Sequence, residues 1–161
     1  MGVMLQAFYW DCPRAENREH EWWSLIKSSD LAARDVLIWD RPTEAVTFVE
    51  NHDVVRDSPI INDKLLAYAF ILTHEGYPCV FWQDYFNWDL AQHGNQSGID
   101  ALIKVHEQNA AGPTQVLFAN DDLYIMQRLG AGDQTGLSLV LNNRAAVGTE
   151  HGYKRDGIIR A

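Results

Sequence analysis

Apolar residues in this chain come in short runs, and the spacing inside each run predicts its element. Val3 to Trp10 is apolar and aromatic, long enough for one buried strand, and Cys12-Pro13 ends it. The charged stretch Arg14–Glu21 reads as a loop. Trp22, Trp23, Leu25 and Ile26 then sit at helical spacing, so Glu19–Lys27 predicts a short helix that Ser28-Ser29-Asp30 breaks. Leu31–Arg41 is ambiguous, with a candidate strand at Val36–Trp39 before Pro42. Ala45–Glu50 is β-branched at Val46, Thr47 and Val49 and fits a second buried strand.

Ser58-Pro59 is a helix-start signal, Ser as N-cap and Pro at the first helical position. From Ile60 to His74 the apolar positions cover most of the helix circumference, which demands cover on more than one side. Gly76 suits the residue after a helix end, and Cys79–Trp82 is a third short apolar run. A further helix starts near Ser97, with Ile99, Leu102, Ile103 and His106 on one face, and stops at Gly112-Pro113. Strand, loop, helix, strand, loop, helix is the alternation of parallel α/β units.

Beyond Pro113 the pattern changes to period two. Gln115–Ala119, Leu123–Leu129 and Leu137–Asn142 alternate, separated by Asn120-Asp121-Asp122 and by Gly130–Gly136. Both connectors carry turn chemistry, so this part predicts a small antiparallel β-meander. The chain thus divides into an α/β segment at 1–112, a β-segment at 113–143 and an irregular, poorly ordered tail at 144–161.

Charge and cysteine content narrow the partners. A formal charge of −9 over 161 residues argues against nucleic acid and anionic membranes, which need basic patches. No apolar run approaches the ~18 residues of a membrane span. Met1–Gln6 lacks a basic region and a long apolar core, so no signal peptide is predicted. Cys12 and Cys79 form neither a disulfide framework nor a metal motif and read as two free thiols.

One motif carries chemistry. An apolar strand, Phe48-Val49-Glu50, delivers Asn51-His52-Asp53, and Gly76-Tyr77-Pro78-Cys79-Val80-Phe81-Trp82 follows about 25 residues on. This corner resembles the α-amylase family of glycoside hydrolases. Met4–Trp10 looks like that family's first barrel strand, Ala45–Asp53 its seventh with the Asn-His-Asp motif, and Leu66–Leu72 with Gly76–Trp82 its seventh helix and eighth strand. Ile99–His106 is similar to the eighth helix, and Gln115–Asn143 to the β-rich C-terminal domain. The resemblance implies an incomplete (β/α)8-barrel, three parallel strands with helices, followed by the meander. It implies an α-glucan such as starch as the ligand, no cofactor, and a family whose members are often secreted.

The departure from the family is as informative. A full barrel takes about 250 residues, whereas strands one, seven and eight here fall within 112. The family's strands two to six have no counterpart, nor has the inserted domain that usually holds a structural calcium. The expected C-terminal sheet is also incomplete. No Gly-x-Arg-x-Asp carries a nucleophile, and no strand follows it with an acid Glu. Retaining hydrolysis needs two carboxyl groups about 5–5.5 Å apart. By the resemblance, Asp53 is a third carboxylate that stabilises the transition state, and His52 and Asn51 contact the same sugar. These are helpers without the pair they help, so hydrolysis by this chain alone is expected to be negligible.

Other side chains have two readings. Tyr9, Trp10, Trp82, Tyr85 and Trp88 are a sugar-stacking platform or core and rim packing; Trp82 reads as packing, and Trp10 and Trp88 stay open between the two. Asp84 is close enough along a neighbouring strand, at ~4.8 Å spacing, to rebuild a pair with Asp53. The plainer reading is a turn cap or a partner for Lys or Arg. Glu50 would face away from Asp53 if the strand continues. The remaining histidines, His20, His74, His93, His106 and His151, have no metal-ligand spacing and read as surface or packing. Asp121-Asp122 is explained by turn chemistry. Raw edges on a three-stranded sheet leave self-association as a further expectation.

Overall fold

The computed structural model describes residues 31–32, 37–57, 60, 64–92, 98–120, 123–142 and 158–160. The predicted strand Val3–Trp10, the helix Glu19–Lys27 and the pair Asp121-Asp122 lie outside them. The first described element is not the candidate strand. Leu37–Asp40 is one helical turn, α1, followed by a 3-10 turn at Pro42–Glu44. Four apolar residues cannot show a period, and tertiary contact decides here. Ile38 is buried, and the Trp39 ring meets His74 edge-on with centroids 5.0 Å apart.

Val46–Phe48 forms β1 and Tyr77–Cys79 forms β2, and the two pair in parallel with Val46 opposite Tyr77, Thr47 opposite Pro78 and Phe48 opposite Cys79. Helix α2 spans His52–Asp57 and α3 spans Lys64–Thr73. The third expected parallel strand is the one at Val3–Trp10. Strand β2 also ends earlier than Cys79–Trp82 predicts, because Trp82–Phe86 is a short helix, α4. Its β-prone sequence is overridden by Asp84, which the helix turns inward to a buried partner.

Helix α3 lies at the centre of the core that the described residues form. Leu66 through Leu72 are all buried, which follows from its all-round apolar sequence and the cover it receives from β1, from α5 (Ile99–Asn109) and from β5 (Leu137–Asn142). Gly76 ends this unit at φ +107°; a Cβ there would lie 3.0 Å from the Ala45 carbonyl oxygen, which accepts the Tyr77 N–H at 2.8 Å. Glycine is what lets the chain leave the helix and enter β2 beside β1.

After Pro113 the sheet is antiparallel, as the alternation predicts. Strands β3 (Thr114–Ala119), β4 (Leu123–Arg128) and β5 pair in sequence order, with a register shift between Val116 and Phe118. The irregular tail is corrected at its end. Ile158–Arg160 forms β6 and pairs with Ser138–Val140 of β5, a contact that no local pattern announces.

The sheet is fixed to α3 by polar contacts as well as by Tyr124, Met126, Leu139 and Leu141 in the common core. Arg128 is buried; its Nη1 donates to the Thr73 carbonyl at 3.0 Å and its Nε to that of Gly112 at 2.8 Å. A guanidinium at a helix C-terminus satisfies an orphan carbonyl and suits the negative end of the dipole. Burial pulls the Arg128 pKa down, and Glu75 works against that. Glu75 itself accepts the Thr114 N–H at 2.8 Å. His106, expected as surface or packing, does pack: its Nδ1–H donates to the Leu72 carbonyl at 2.9 Å.

Candidate functional site

The Asn-His-Asp motif is a helix start. The chain leaves β1 at Phe48, and the Asn51 side-chain oxygen accepts the backbone N–H of Asp53 and of Val54, each at 3.0 Å. The Asn51 carbonyl takes the Val55 N–H. Asn51 is therefore the N-cap of α2, one of the residue types this position favours. Asn51→Ala is expected to cost about 1 kcal/mol of stability, measured by urea unfolding, and a change below a few tenths would remove the capping role.

Capping turns the next two side chains outward. His52 and Asp53 occupy the first helical turn with 85% and 60% of their side chains exposed, and His52 Nε2 lies 3.6 Å from Asp53 Oδ2. Arg56, one turn on, reaches Asp53 Oδ1 at 3.8 Å. At this exposure the ion pairs stabilise the fold little, and the carboxylate sits where a helix dipole favours negative charge. The result is a ring nitrogen beside a carboxylate, open to solvent, which suits neighbouring hydroxyl groups of a sugar.

Glu50, one residue before the cap, points the other way, into the protein. Its Oε2 lies 2.5 Å from Lys64 Nζ, and its Oε1 accepts the Ile60 N–H. The same ammonium lies 2.5 Å from Asp84 Oδ1. Asp84 Oδ2 accepts the Tyr68 hydroxyl at 2.6 Å, and that hydroxyl accepts the Phe81 N–H at 3.3 Å. Both carboxylates are fully buried. Two carboxylates thus share one cation out of water. Burial, more than any neighbour, pushes the Glu50 carboxyl above its usual range, against the pull of Lys64 and Ile60. Burial, then the bond to Asp84, also pushes the Tyr68 phenol up.

Asp84 is therefore held by a lysine, the plainer of its two readings, and its partners are not those of Asp53. Lys64 itself is the residue that sequence reasoning missed. Its signal is a charge beginning a run of nine residues that are apolar apart from Thr73.

The aromatic residues divide differently from the expectation. Trp82 reads as packing but is 60% exposed, and Phe86, one turn on, is 68% exposed. A four-residue separation on a single short helix puts both on its outer face. Trp88 follows α4, 40% exposed, with its ring centroid 4.1 Å from Lys64 Nζ. Tyr85 is turned to α5, where its hydroxyl donates to Asp100 Oδ1 at 2.5 Å. Trp10 lies outside the described residues, as do Tyr9, Trp22, Trp23, Cys12, His20, His93 and His151. Cys79 is a free, exposed thiol. Among the described residues no three His, Cys, Asp or Glu side chains are grouped to hold a metal ion.

His74 has a separate set of partners. It is buried between Phe70, stacked at 4.1 Å, and Trp39, with Nε2 2.6 Å from the Tyr124 hydroxyl and no hydrogen bond at Nδ1. Burial first, and the nearby Arg128 second, lower its pKa to about 3.

Three comparisons bear on this site. The chain is 34% identical over 109 residues to the alpha-amylase type B isozyme of Hordeum vulgare, covering 63% of this chain and 67% of that protein. It is 37% identical over 114 residues to an alpha-amylase of Geobacillus stearothermophilus, 65% of this chain and 20% of that one. It is 32% identical over 115 residues to a glucan 1,4-alpha-maltohexaosidase of Bacillus sp. (strain 707), 65% of this chain and 22% of that one. The chain therefore spans two thirds of the barley relative and about a fifth of the two bacterial ones. No protein-family model matches it.

Proposed function

This chain belongs to the α-amylase family of glycoside hydrolases, and from that premise we propose that it recognises α-1,4-glucan through its Asn51-His52-Asp53 corner but does not complete hydrolysis by itself. The observation that carries the reading is the outward projection of His52 and Asp53 from a capped helix start at the end of β1. An exposed carboxylate beside a ring nitrogen can grip two hydroxyls of one sugar. Asp53 stabilises developing positive charge only if a nucleophile and an acid act on the same bond, and the motifs that would supply them are absent from the sequence.

A rebuilt carboxylate pair is the competing reading. Glu50 and Asp84 are brought together at one Nζ, each at 2.5 Å. Their burial opposes it, because no sugar reaches either carboxylate and each is committed to Lys64. The calcium of the family belongs to a segment with no counterpart here, so the reading includes no metal.

Two assays on one preparation test it. Mobility of the purified chain in a starch-containing native gel should be retarded, and Asp53→Asn should weaken that affinity about 10- to 100-fold, the worth of one charge-assisted hydrogen bond at ~1.5–3 kcal/mol. Reducing-end release from soluble starch should stay at background for both proteins. Release that vanishes in Asp53→Asn would overturn the inactive reading in favour of a minimal glycosidase. An unretarded wild-type chain would overturn glucan recognition.

A further inference from the structure

Lys64 directs one ammonium at three side chains, two buried carboxylates and one half-exposed indole. Glu50 immediately precedes Asn51 and hence the His52-Asp53 corner. Asp84 belongs to α4, and Trp88 lies just beyond it. We propose that Lys64 is a positioning residue that fixes the Asn51-His52-Asp53 corner relative to Trp88, so that the two bind sugar as one surface. The inference rests on the glucan reading and adds to it the element that would set the spacing of its parts.

The hydrogen-bond accounting leaves little slack. An ammonium has three N–H groups in tetrahedral array. Two are directed to Glu50 and Asp84, and the charge also faces the indole, whose quadrupole attracts a cation. Each carboxylate is pinned at its other oxygen, Glu50 by the Ile60 N–H and Asp84 by the Tyr68 hydroxyl. The Trp88 backbone N–H is tied to the Gln83 carbonyl at 3.1 Å, so the main chain that carries the ring is held to α4. Displacing Nζ therefore displaces the corner, α4 or the ring.

Stability alone is a poor account of such a cluster. Three charges are taken out of water, and one carboxylate is left in excess of the cations. Buried ion pairs of this kind are commonly no better than an apolar replacement of similar volume. Their attested use is to select one geometry, and here the geometry selected is the spacing between an exposed His-Asp pair and a half-exposed indole.

Glu50→Gln separates the two roles. Glutamine removes the excess negative charge and keeps one oxygen, which still accepts the Ile60 N–H, while its amide NH2 replaces the oxygen that faced Lys64 and leaves the ammonium to Asp84 and Trp88. The melting temperature should change little, because relief of the excess charge offsets the acceptor that Lys64 loses. Affinity for starch in the native gel should nevertheless fall about 5-fold, and the Trp88 indole cross-peak, assigned with Trp88→Phe, should shift in a 15N–1H spectrum. On glucan affinity, Glu50→Gln and Trp88→Phe should be non-additive by at least 3-fold, because both side chains touch Lys64. A lower affinity with a melting temperature lowered to match would mean a purely structural role and overturn the proposal. So would a retarded wild type with Glu50→Gln equally retarded and the cross-peak unmoved, which leaves the glucan reading intact. A wild-type chain that is not retarded overturns both.

Discussion

Lys64→Met should lower the stability of this chain by about 3–5 kcal/mol at neutral pH, the cost of breaking a buried ion pair by removing one partner. Methionine fills most of the lysine stem's volume and suits the apolar end of α3, so lost packing is a small part of the effect. The larger part is electrostatic. Glu50 and Asp84 would face each other across the vacated ammonium position with no cation between them. Burial already displaces Glu50 toward holding its proton, and loss of the ammonium removes a pull in the other direction. A carboxyl whose folded pKa is raised binds its proton earlier in the folded state, so its penalty shrinks as pH falls through the folded value. The gap between Lys64→Met and wild type in urea unfolding should therefore be smaller at pH 5 than at pH 7. The triple variant Lys64→Met, Glu50→Gln, Asp84→Asn, with no buried charge, should recover much of the loss. A deficit under about 1 kcal/mol at pH 7 would mean that water reaches the cluster and that the three charges are not buried together.

Acid should destabilise the chain through His74, by roughly 4–5 kcal/mol between neutral pH and pH 3. The folded pKa of about 3 lies below the unfolded value near 6.5. Between the two, the unfolded chain holds a proton that the folded chain refuses. Stability is therefore intact above pH 6.5 and falls by about 1.4 kcal/mol per pH unit below it. The cause is local. The imidazolium carries an N–H on both nitrogens, of which Nδ1 has no hydrogen-bond partner, and puts a positive charge in reach of Arg128. Glu50 acts in the opposite direction, since its raised pKa lets the folded state gain its proton first. The His74 contribution is isolated by His74→Gln, which stays neutral and offers the Tyr124 hydroxyl a partner. That variant is less stable at pH 7 because it loses the stacking on Phe70. By pH 4 the difference from wild type should have narrowed by about 3 kcal/mol. Parallel stability profiles for the two proteins would show that another group carries the acid response.

The candidate site was half legible. Asn51-His52-Asp53 stands out in the sequence because a polar triplet ends an apolar run. Its local structure follows from Asn being a good cap, and capping turns the next two side chains to solvent. The cluster beneath it was not legible. Glu50, Lys64 and Asp84 are separated by 14 and 20 positions, and nothing in a local pattern pairs them. Trp82 shows the same limit: an apolar run reads as a strand end, whereas the inward pull on Asp84 winds it into a helix and leaves the indole exposed.

What the sequence determined by itself was whatever period and punctuation encode. A strand within Ala45–Glu50, an apolar helix within Ile60–His74, a helix from near Ser97 and the three meander strands follow from side-chain spacing, although the apolar helix begins at Lys64 and Ile60, predicted inside it, is not helical. Family membership was legible in the order of these pieces. The tertiary structure alone decided which charges are buried together, that His74 sits neutral against Tyr124 fifty positions away, and that Ile158–Arg160 completes the sheet. The physical reason is one of range. Backbone preference acts over a few residues, whereas desolvation and ion pairing depend on which distant segments exclude water together.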